Sequence, residues 1–412
     1  MSPKGAKKRV FVAMSGGVDS SVAALLLKRD GYEVTGVFIR SYNLDGCSER
    51  DAEDARRVAE HLEIPFYVFD FKEEYKRDVM DYMIHGYRRG ITPNPDVMCN
   101  KRIKFGLFLE KALALGANFI ATGHYVRLAF RFASRGTGRS LAPAASAALG
   151  LSPRRLRRAV AVGDQARRGS EAFRSKQNGK LINFSLLEAK DKNKDQSYFL
   201  WTLTQEQLKN CLFPIGDYLK SEVREIARKA GLPTAEKKDS QGICFLGKVS
   251  LADFLKSYIP ERRGEVLDVR GQKIGEHSGA EFYTIGQRHL GIKNYESRIK
   301  GRHKTPPAYV MEKNVKENRI VVAEGSKNPA LYKKEIQLES VNFIKPITNY
   351  KSPIVVYARV RYRQPLATAK LYKLQAKSYK LIFEQPQKFV APGQSAVFYR
   401  KNSELLGGGV IV

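Results

Sequence analysis

The feature that most constrains this sequence is a short glycine turn near its start, Ser15-Gly16-Gly17-Val18-Asp19-Ser20. The apolar residues 9–14 before it predict a buried strand, and residues 22–29 after it predict a helix with Gly31 as its C-terminal cap. Two glycines let the backbone turn tightly and point N–H groups at an anion, and a helix start adds partial positive charge. No lysine follows the glycines as in a Walker loop. The sequence therefore predicts a phosphate-binding loop of another kind.

Strands and helices alternate through the first third of the chain. Strands are predicted at 34–39, 66–69 and 118–121, helices at 51–62, 72–87 and 103–115, and a proline-rich loop at 92–99. This alternation predicts an α/β fold with a Rossmann-like parallel sheet.

The rest of the chain has a different pattern. Helices are predicted at 203–210 and 220–230, short strands within 264–286 and 309–323, and mostly strands from 335 to 412. We expect three domains: a nucleotide domain over 1–205, a mixed α+β domain over 206–330, and a β-barrel-like domain over 331–412.

The positive charge of the chain is concentrated in particular segments. Net charge is +30, from 72 Lys and Arg against 42 Asp and Glu. Residues 1–126 carry 19 basic and 17 acidic residues, whereas residues 331–412 carry 14 and 4. This distribution favours a near-neutral catalytic core and a C-terminal surface that binds nucleic acid. We expect no membrane span, because no apolar run reaches roughly 18 residues, and a reducing, cytoplasmic location, because the four cysteines contain no CxxC pair.

Residues 128–180 interrupt the alternating pattern. The segment is rich in Arg, Ala, Ser and Gly, and only 153–162 suits a short basic helix. Two interpretations stay open, a disordered surface insertion and an additional RNA-contacting arm.

Two of the four cysteines lie in sequences suited to chemistry. Cys99 ends the segment Asn94-Pro95-Asp96-Val97-Met98-Cys99, just before the predicted helix at 103–115 and its basic residues. A thiol at a helix start beside cations ionises more readily, and Asp96 is close enough in sequence to serve as an acid or base. Cys244 follows Gly242, which permits close approach of a partner. For Cys47 and Cys211 we expect packed thiols.

Six motifs, in chain order, resemble those of the tRNA-specific 2-thiouridylase family, part of the PP-loop ATP pyrophosphatase superfamily. They are SGGVDSS at the glycine turn, NPDxxCNxxIKF (94–105), ATGHY (121–125), KDQSYFL (194–200), DSxGICF (239–245) and APGQSAVFY (391–399). The resemblance extends from about Arg9 to Val412, except over 128–180.

The resemblance implies 2-thiolation of the wobble uridine in lysine, glutamate and glutamine tRNAs. ATP adenylylates O2 of the uracil, a cysteine persulfide delivers sulfur to C2, and AMP leaves. Cys244 would carry the persulfide, Cys99 would be the second catalytic thiol that closes a disulfide with Cys244, and Asp96 would be the acid or base. The cofactors implied are ATP and Mg²⁺, and the partners are tRNA and either a persulfide sulfur-relay protein or a cysteine desulfurase.

The resemblance also implies two sets of binding residues. Those for ATP are Ala13, Met14, Ser15, Gly16, Gly17, Val18, Asp19, Ser20, Ile39 and Gly123. Those for tRNA are Asn94, Pro95, Asp96, His124, Lys194, Asp195, Gln196, Arg361, Tyr362 and Gln394. Regular strand alternation would put Arg359, Arg361 and Arg363 on one face and Tyr362 on the other.

Two other functions stay open. One is a PP-loop synthetase that acts on a small molecule, against which the basic C-terminus and the paired cysteines argue. The other is a catalytically silent tRNA-binding homologue, against which the presence of Asp19, Cys99 and Cys244 argues.

Overall fold

A computed structural model describes residues 7–42, 46–133, 176–177, 180–239, 249–288, 290–291, 306–346 and 352–412. Cys244 and the short basic helix predicted at 153–162 lie outside these ranges, and so does most of the insertion.

The N-terminal layer is a parallel sheet covered by helices. Its strands are β1 (Arg9–Ala13), β2 (Glu33–Arg40), β3 (Phe66–Asp70), β4 (Phe119–Thr122) and, later in the chain, β8 (Cys211–Leu212), in the order β3-β2-β1-β4-β8. All four pairings are parallel, which confirms the predicted Rossmann-like sheet. The strand order reverses direction between β1 and β4. Loops that leave the carboxyl ends of these two strands therefore border a crevice, the usual ligand site of such sheets.

Helices on both faces bury the sheet. They are α1 (Val18–Arg29), α2 (Cys47–His61), a continuous helix 72–88 with a π-helical part Lys76–Asp81, a continuous helix 95–114 with a π-helical part Asn100–Phe108, and the helices Gln205–Leu208 and Lys220–Lys229. The apolar residues of helix Lys220–Lys229 pack into the same core as those of α1. The boundary expected at residue 206 therefore falls inside this layer.

The segment predicted as a loop at 92–99 is helical from Pro95 onward. The Asn94 side chain accepts a hydrogen bond from the Val97 N–H at 3.2 Å, and Pro95 occupies the first helical position, where an N–H is not needed. Cys99 consequently lies inside helix 95–114 and not before it. Because that helix leads into the start of β4, its beginning lies toward the carboxyl edge of the sheet.

A β-hairpin leaves this layer after β4. Strand β5 (Val126–Ala133) pairs antiparallel with β7 (Lys180–Glu188), and the two-residue strand β6 (Lys176–Gln177) pairs with β7 as well. The prediction that irregular chain occupies all of 128–180 is therefore wrong at both ends, since 128–133 and 180 belong to paired strands.

The central part of the chain forms a mixed sheet. Helix Leu251–Lys256 is followed by β9 (Gly264–Leu267), β10 (Lys273–His277), β11 (Ala308–Asn314) and β12 (Arg319–Glu324), in the order β10-β9-β12-β11. Only the β9–β12 pairing is parallel. Apolar side chains such as Val266, Val310 and Ile320 form a separate core here.

The C-terminal part is a closed barrel, as predicted. Its strands are β13 (Tyr332–Phe343), β14 (Ile354–Arg359), β15 (Ala367–Gln375), β16 (Ser378–Lys388), β17 (Ser395–Tyr399) and β18 (Glu404–Ile411), in the order β13-β16-β15-β14-β17-β18. Strand β18 closes the barrel by pairing with β13. It also pairs with β7 through Glu404 and Leu405, which joins the barrel to the N-terminal hairpin. Among the described residues, no helix has the length and apolarity that a membrane crossing requires.

Candidate active site

The glycine turn adopts a shape that side chains would not allow. Gly16 has a φ of +70°, and a Cβ there would lie 2.3 Å from the carbonyl oxygen of Asp51. The Ser15 N–H donates to Oγ of Ser20 at 3.1 Å, and that hydroxyl donates to the Gly17 carbonyl at 3.1 Å. The first N–H groups of α1 have no partners within the helix, as at every helix start. The turn is therefore a fixed cradle that suits a phosphate group.

The other residues implied for ATP binding lie along the same edge of the sheet. Gly123 follows β4, and a Cβ there would lie 2.7 Å from the Ser20 nitrogen. Ala13 ends β1, Met14 is buried behind the turn, and Ile39 is half-buried near the end of β2. The structure thus brings these sequence-predicted residues together, and their arrangement fits a nucleotide with its phosphates on the start of α1.

A charged cluster adjoins the turn. We call it the Asp19 cluster, and it consists of Asp19, Tyr125, Lys194, Lys220, Arg224 and Asp239. Nζ of Lys220 bonds both carboxylate oxygens of Asp19, at 2.8 and 2.9 Å, and the Tyr125 hydroxyl donates to Oδ1 of Asp19 at 2.8 Å. Lys220 is 201 positions from Asp19, so sequence reasoning gave no signal for it.

Asp239, the first residue of the DSxGICF motif, completes this cluster. Its carboxylate contacts Lys194 at 2.7 Å, and both Lys220 and Arg224 at 2.8 Å. Burial alone would raise its pKa, but the hydrogen bonds and charges of Lys194 and Lys220 lower the pKa of Asp239 to about 2. Asp239 is therefore ionised at every physiological pH. Lys194, predicted as a tRNA contact, is an ion-pair partner here.

The beginning of helix 95–114 carries the predicted acid or base and one predicted thiol. The Asp96 side chain is half-buried, and burial raises the pKa of its carboxyl, although the charge of Lys104 acts in the opposite direction. The Cys99 thiol is also half-buried and packs against the apolar core. Both side chains are thus partly accessible from solvent on one short stretch of helix.

The other cysteines within the described ranges differ in their settings. Cys211 is buried, its Sγ donates to the Gln207 carbonyl at 3.1 Å, and burial raises the pKa of its thiol. These contacts agree with the packed thiol expected there. Cys47 is the first residue of α2.

His124 lies near this helix but is enclosed. Its ring packs against Phe105 and Phe213, and its Nδ1 lies 2.8 Å from Oγ1 of Thr122. Burial lowers the pKa of His124 well below its usual value, and the charge of Lys104 adds to this effect. The imidazole is therefore neutral at physiological pH. Since Lys104 influences both Asp96 and His124, the three side chains share one neighbourhood.

Two further residues predicted to contact tRNA have their polar groups engaged inside the protein. Asp195 is buried and accepts hydrogen bonds from the Ala189 N–H at 2.9 Å and the Ser197 hydroxyl at 2.7 Å. Burial raises the pKa of its carboxyl. The Gln196 side chain accepts from the Tyr125 N–H at 3.0 Å. In this conformation both residues stabilise the segment 189–196, which lies beside the Asp19 cluster.

Two of the three barrel residues predicted to contact tRNA, Gln394 and Tyr362, lie close to the start of helix 95–114. Gln394 donates to the Thr92 carbonyl at 2.8 Å, just before the Asn94 cap. The Tyr362 ring lies 4.5 Å from that of Phe199, whose carbonyl accepts from the Asn100 side chain at 3.4 Å. The half-buried guanidinium of Arg361 lies 5.8 Å from the Phe389 ring centre and donates to the Ile285 carbonyl at 3.3 Å.

The regular strand face expected for Arg359, Arg361 and Arg363 is wrong. Strand β14 ends at Arg359, and Arg363 has a φ of +64°, so alternation does not continue through the segment. Arg359 is buried, forms an ion pair with Glu188, and lies 4.9 Å from the Tyr399 ring centre. It is a core residue of the junction between barrel and hairpin.

Comparisons with known proteins agree with this architecture. Family models match over residues 8–145 and 156–248 (tRNA methyl transferase HUP domain), 252–324 (tRNA methyl transferase PRC-barrel domain) and 333–411 (aminomethyltransferase beta-barrel domain). The chain is 40% identical to tRNA-specific 2-thiouridylase MnmA of Blochmanniella floridana, over 98% of this chain and 96% of that protein. It is 39% identical to MnmA of Chlamydia trachomatis serovar L2, over 98% of each. It is 39% identical to MnmA 2 of Geobacillus kaustophilus, over 98% of this chain and 94% of that protein. With this agreement along almost its whole length, the chain belongs to the tRNA-specific 2-thiouridylase family.

Proposed function

We propose that this protein uses ATP to place sulfur on C2 of the wobble uridine in lysine, glutamate and glutamine tRNAs. The observation that carries the proposal is the position of Asp96 and Cys99 on a helix whose start lies toward the carboxyl edge of the sheet that holds the phosphate cradle. Groups at the same edge of the sheet can therefore activate a base with ATP and supply the thiol chemistry that places sulfur on it. The full-length similarity to 2-thiouridylases supports the same substrate class.

The first step activates the base. A uracil carbonyl is a poor electrophile and its oxygen a poor leaving group, so O2 attacks the α-phosphorus of ATP and pyrophosphate leaves. The cradle residues from Ala13 to Ser20, with Ile39 and Gly123, hold the nucleotide for this step. Mg²⁺ would come with the phosphates and offset their charge. Within the described ranges, no three His, Cys, Asp or Glu side chains form a group that could hold a metal by themselves.

The second step delivers the sulfur. The terminal sulfur of a persulfide on Cys244 attacks C2, and AMP leaves with the former O2. The Cys99 thiolate then attacks the Cys244 sulfur, so the C2–sulfur bond stays, the sulfur–sulfur bond to Cys244 breaks, and a Cys99–Cys244 disulfide forms. A reducing thiol regenerates both cysteines, and a sulfur-relay protein or cysteine desulfurase reloads Cys244.

Asp96 is suited to proton transfer at the base. Because burial raises the pKa of its carboxyl, the group holds its proton more readily than an exposed aspartate and can donate it or take it back. Asn94 and Pro95 fix its position by capping the helix. We assign Asp96 to the base, and we assign Arg361, Tyr362, Gln394, His124, Lys194, Asp195 and Gln196 to the walls that support the anticodon loop.

The RNA reaches this edge as a single-stranded loop. A wobble base must be turned out of its stack to enter such a site. The basic barrel over 331–412 supplies positive charge for the phosphates of the anticodon region. The reaction takes place in the cytoplasm, where thiols stay reduced.

The test is sulfur incorporation into unmodified lysine tRNA with ATP and a persulfide donor. We expect thiouridine from the unsubstituted protein and none from Cys99→Ser or Cys244→Ser. Cys211→Ser is the matched control, because Cys211 is a buried thiol to which the proposal gives no role, and this variant should stay active.

Three results would contradict the proposal. Full activity in Cys99→Ser or Cys244→Ser would exclude the two-thiol route. ATP turnover stimulated by a small metabolite and not by tRNA would favour the synthetase alternative, whereas tight tRNA binding without ATP turnover would favour the silent homologue.

A further inference from the structure

The phosphate turn contains no lysine, yet a lysine from a distant part of the chain reaches it. Lys220 is the first residue of helix Lys220–Lys229, and its ammonium contacts three carboxylate oxygens: both of Asp19 and Oδ1 of Asp239. Its side chain is 12% exposed, so it is largely buried but open to a ligand on one side. Asp19 lies in the first turn of α1, and the backbone N–H groups of that turn have no hydrogen-bond partner within the helix.

The charges of the Asp19 cluster are arranged for an incoming anion. Three cations, Lys194, Lys220 and Arg224, share the two carboxylates of Asp19 and Asp239, which leaves one positive charge in excess. A phosphate on the start of α1 would meet the negative charge of Asp19, and Lys220 lies in position to neutralise it. The cluster therefore has a cation where a triphosphate needs one.

Lys220 can leave Asp239 without exposing an unpaired carboxylate. Asp239 keeps Lys194 at 2.7 Å and Arg224 at 2.8 Å, and these two cations continue to pair with its carboxylate. The helix also does not depend on Lys220 for its position, because Val223 and Ala227 are fully buried against α1 and its neighbours.

We propose that Lys220 is the cation of the pyrophosphate subsite, and that its ammonium exchanges Asp239 for the β- and γ-phosphates of ATP while it stays on Asp19. This inference rests on the proposed function, since it takes the glycine turn to bind ATP. Lys220 then does for this site what a lysine inside the loop does in a Walker loop.

The test separates ATP from AMP, because AMP lacks the two phosphates that Lys220 would bind. Dissociation constants for both nucleotides are measured by titration calorimetry. For Lys220→Met we expect ATP affinity to fall about tenfold or more, the effect of losing one charge-assisted bond, with AMP affinity within about twofold. Lys220→Arg should restore most of the ATP affinity.

Two further variants act as matched comparisons. Asp239→Asn keeps Lys220 and removes one of the two carboxylates that its ammonium contacts. The affinity for ATP should therefore stay the same or rise. Lys190→Met removes a neighbouring lysine whose ammonium pairs with Glu222 at 2.9 Å on the surface of the same helix, and it should leave both affinities unchanged.

The outcomes distinguish the inference from the proposed function. Equal losses for ATP and AMP in Lys220→Met, or an ATP loss in Asp239→Asn as large as in Lys220→Met, would make Lys220 a structural support and overturn the inference. Normal ATP affinity in Lys220→Met would overturn it as well. An unsubstituted protein that binds neither nucleotide would instead refute the phosphate loop, and with it the proposed function.

A measurement on the unsubstituted protein covers the case in which Lys220→Met does not fold. The rate at which an acylating reagent modifies each lysine is measured by mass spectrometry. Inorganic pyrophosphate should slow the acylation of Lys220 and leave the acylation rate of Lys190 unchanged. An unchanged rate at Lys220 with saturating pyrophosphate would overturn the inference.

Discussion

Replacing Gly16 by alanine tests whether the shape of the glycine turn creates the nucleotide site. Two costs follow from the structure. The φ of +70° lies in the left-handed region, where a residue with a Cβ costs about 1–2 kcal/mol. The new Cβ would also lie 2.3 Å from the Asp51 carbonyl oxygen, so the turn and the start of α2 must move apart by most of an ångström.

That displacement sets the size of the effect on binding. A hydrogen bond to phosphate of about 2.9 Å that lengthens to about 3.6 Å is no longer a bond. One lost bond to a charged group costs about 1.5–3 kcal/mol, which corresponds to a fall of about 10- to 150-fold in ATP affinity. Calorimetric titration with ATP measures this change directly.

Gly271→Ala is the matched control. Gly271 also has a positive φ, +81°, but a Cβ there would meet nothing within 4 Å. Both variants therefore carry the backbone cost, and only Gly16→Ala carries the collision. We expect ATP affinity of Gly271→Ala to stay within about twofold of the unsubstituted protein. Equal ATP affinity in the two variants would refute the assignment of the turn.

Three other substitutions test contacts away from the turn. Arg359→Met should lower the free energy of unfolding by about 1.5–3 kcal/mol, since it removes one charge-assisted bond from the buried carboxylate of Glu188, which keeps its pair with Lys192 at 2.9 Å; a weaker salt dependence of tRNA binding with unchanged thermal stability would instead place Arg359 on the RNA. Gln394→Ala should lower the free energy of unfolding by about 1 kcal/mol, because the Thr92 carbonyl loses its hydrogen-bond donor. The variant should also transfer sulfur more slowly with an unchanged dissociation constant for ATP. An equal loss of ATP affinity would contradict this role. Burial lowers the pKa of Lys313 to about 8, below the value of about 10.4 in unfolded chains. The unfolded state therefore binds more protons between these values, and stability against urea should rise from pH about 8 to about 10. Lys313→Met should lack this rise, and an identical pH profile would show that Lys313 titrates normally.

Local patterns in the sequence predict much of this fold. Strand and helix periods give the parallel sheet, and the run of short strands near the end gives the barrel. The pair Asn94-Pro95 is a typical helix start, with a capping side chain and a proline at the first position, so the sequence holds the signal that a loop prediction over 92–99 overlooks.

Contacts between distant residues could not be predicted in the same way. Arg359 pairs with Glu188, 171 positions away; its strand ends at that residue, and the backbone at Arg363 is left-handed. No periodicity in a single chain encodes such a pairing, because it depends on how the barrel and the hairpin meet.

The motifs identify the residues of the candidate site, but they do not show whether each residue binds a ligand or packs against another part of the protein. Within KDQSYFL, the Tyr198 hydroxyl donates to the Ser395 carbonyl at 2.8 Å and the Ser197 hydroxyl lies 3.0 Å from that of Tyr399, both in the APGQSAVFY motif. Two motifs that resemble binding segments are thus also a packing interface. Sequence similarity does not separate these two uses of a side chain.

The double pairing of β18 has a consequence for the order in which this protein is made. Strand β18 leaves the ribosome after its partners β7, β13 and β17, yet it both closes the barrel on β13 and joins the hairpin of the first layer through β7. A nascent chain that stops before residue 404 keeps an open barrel and an unpaired hairpin edge, which are sites for aggregation. An interrupted chain therefore exposes both edges, and the barrel beside helix 95–114 closes only after β18 has been made.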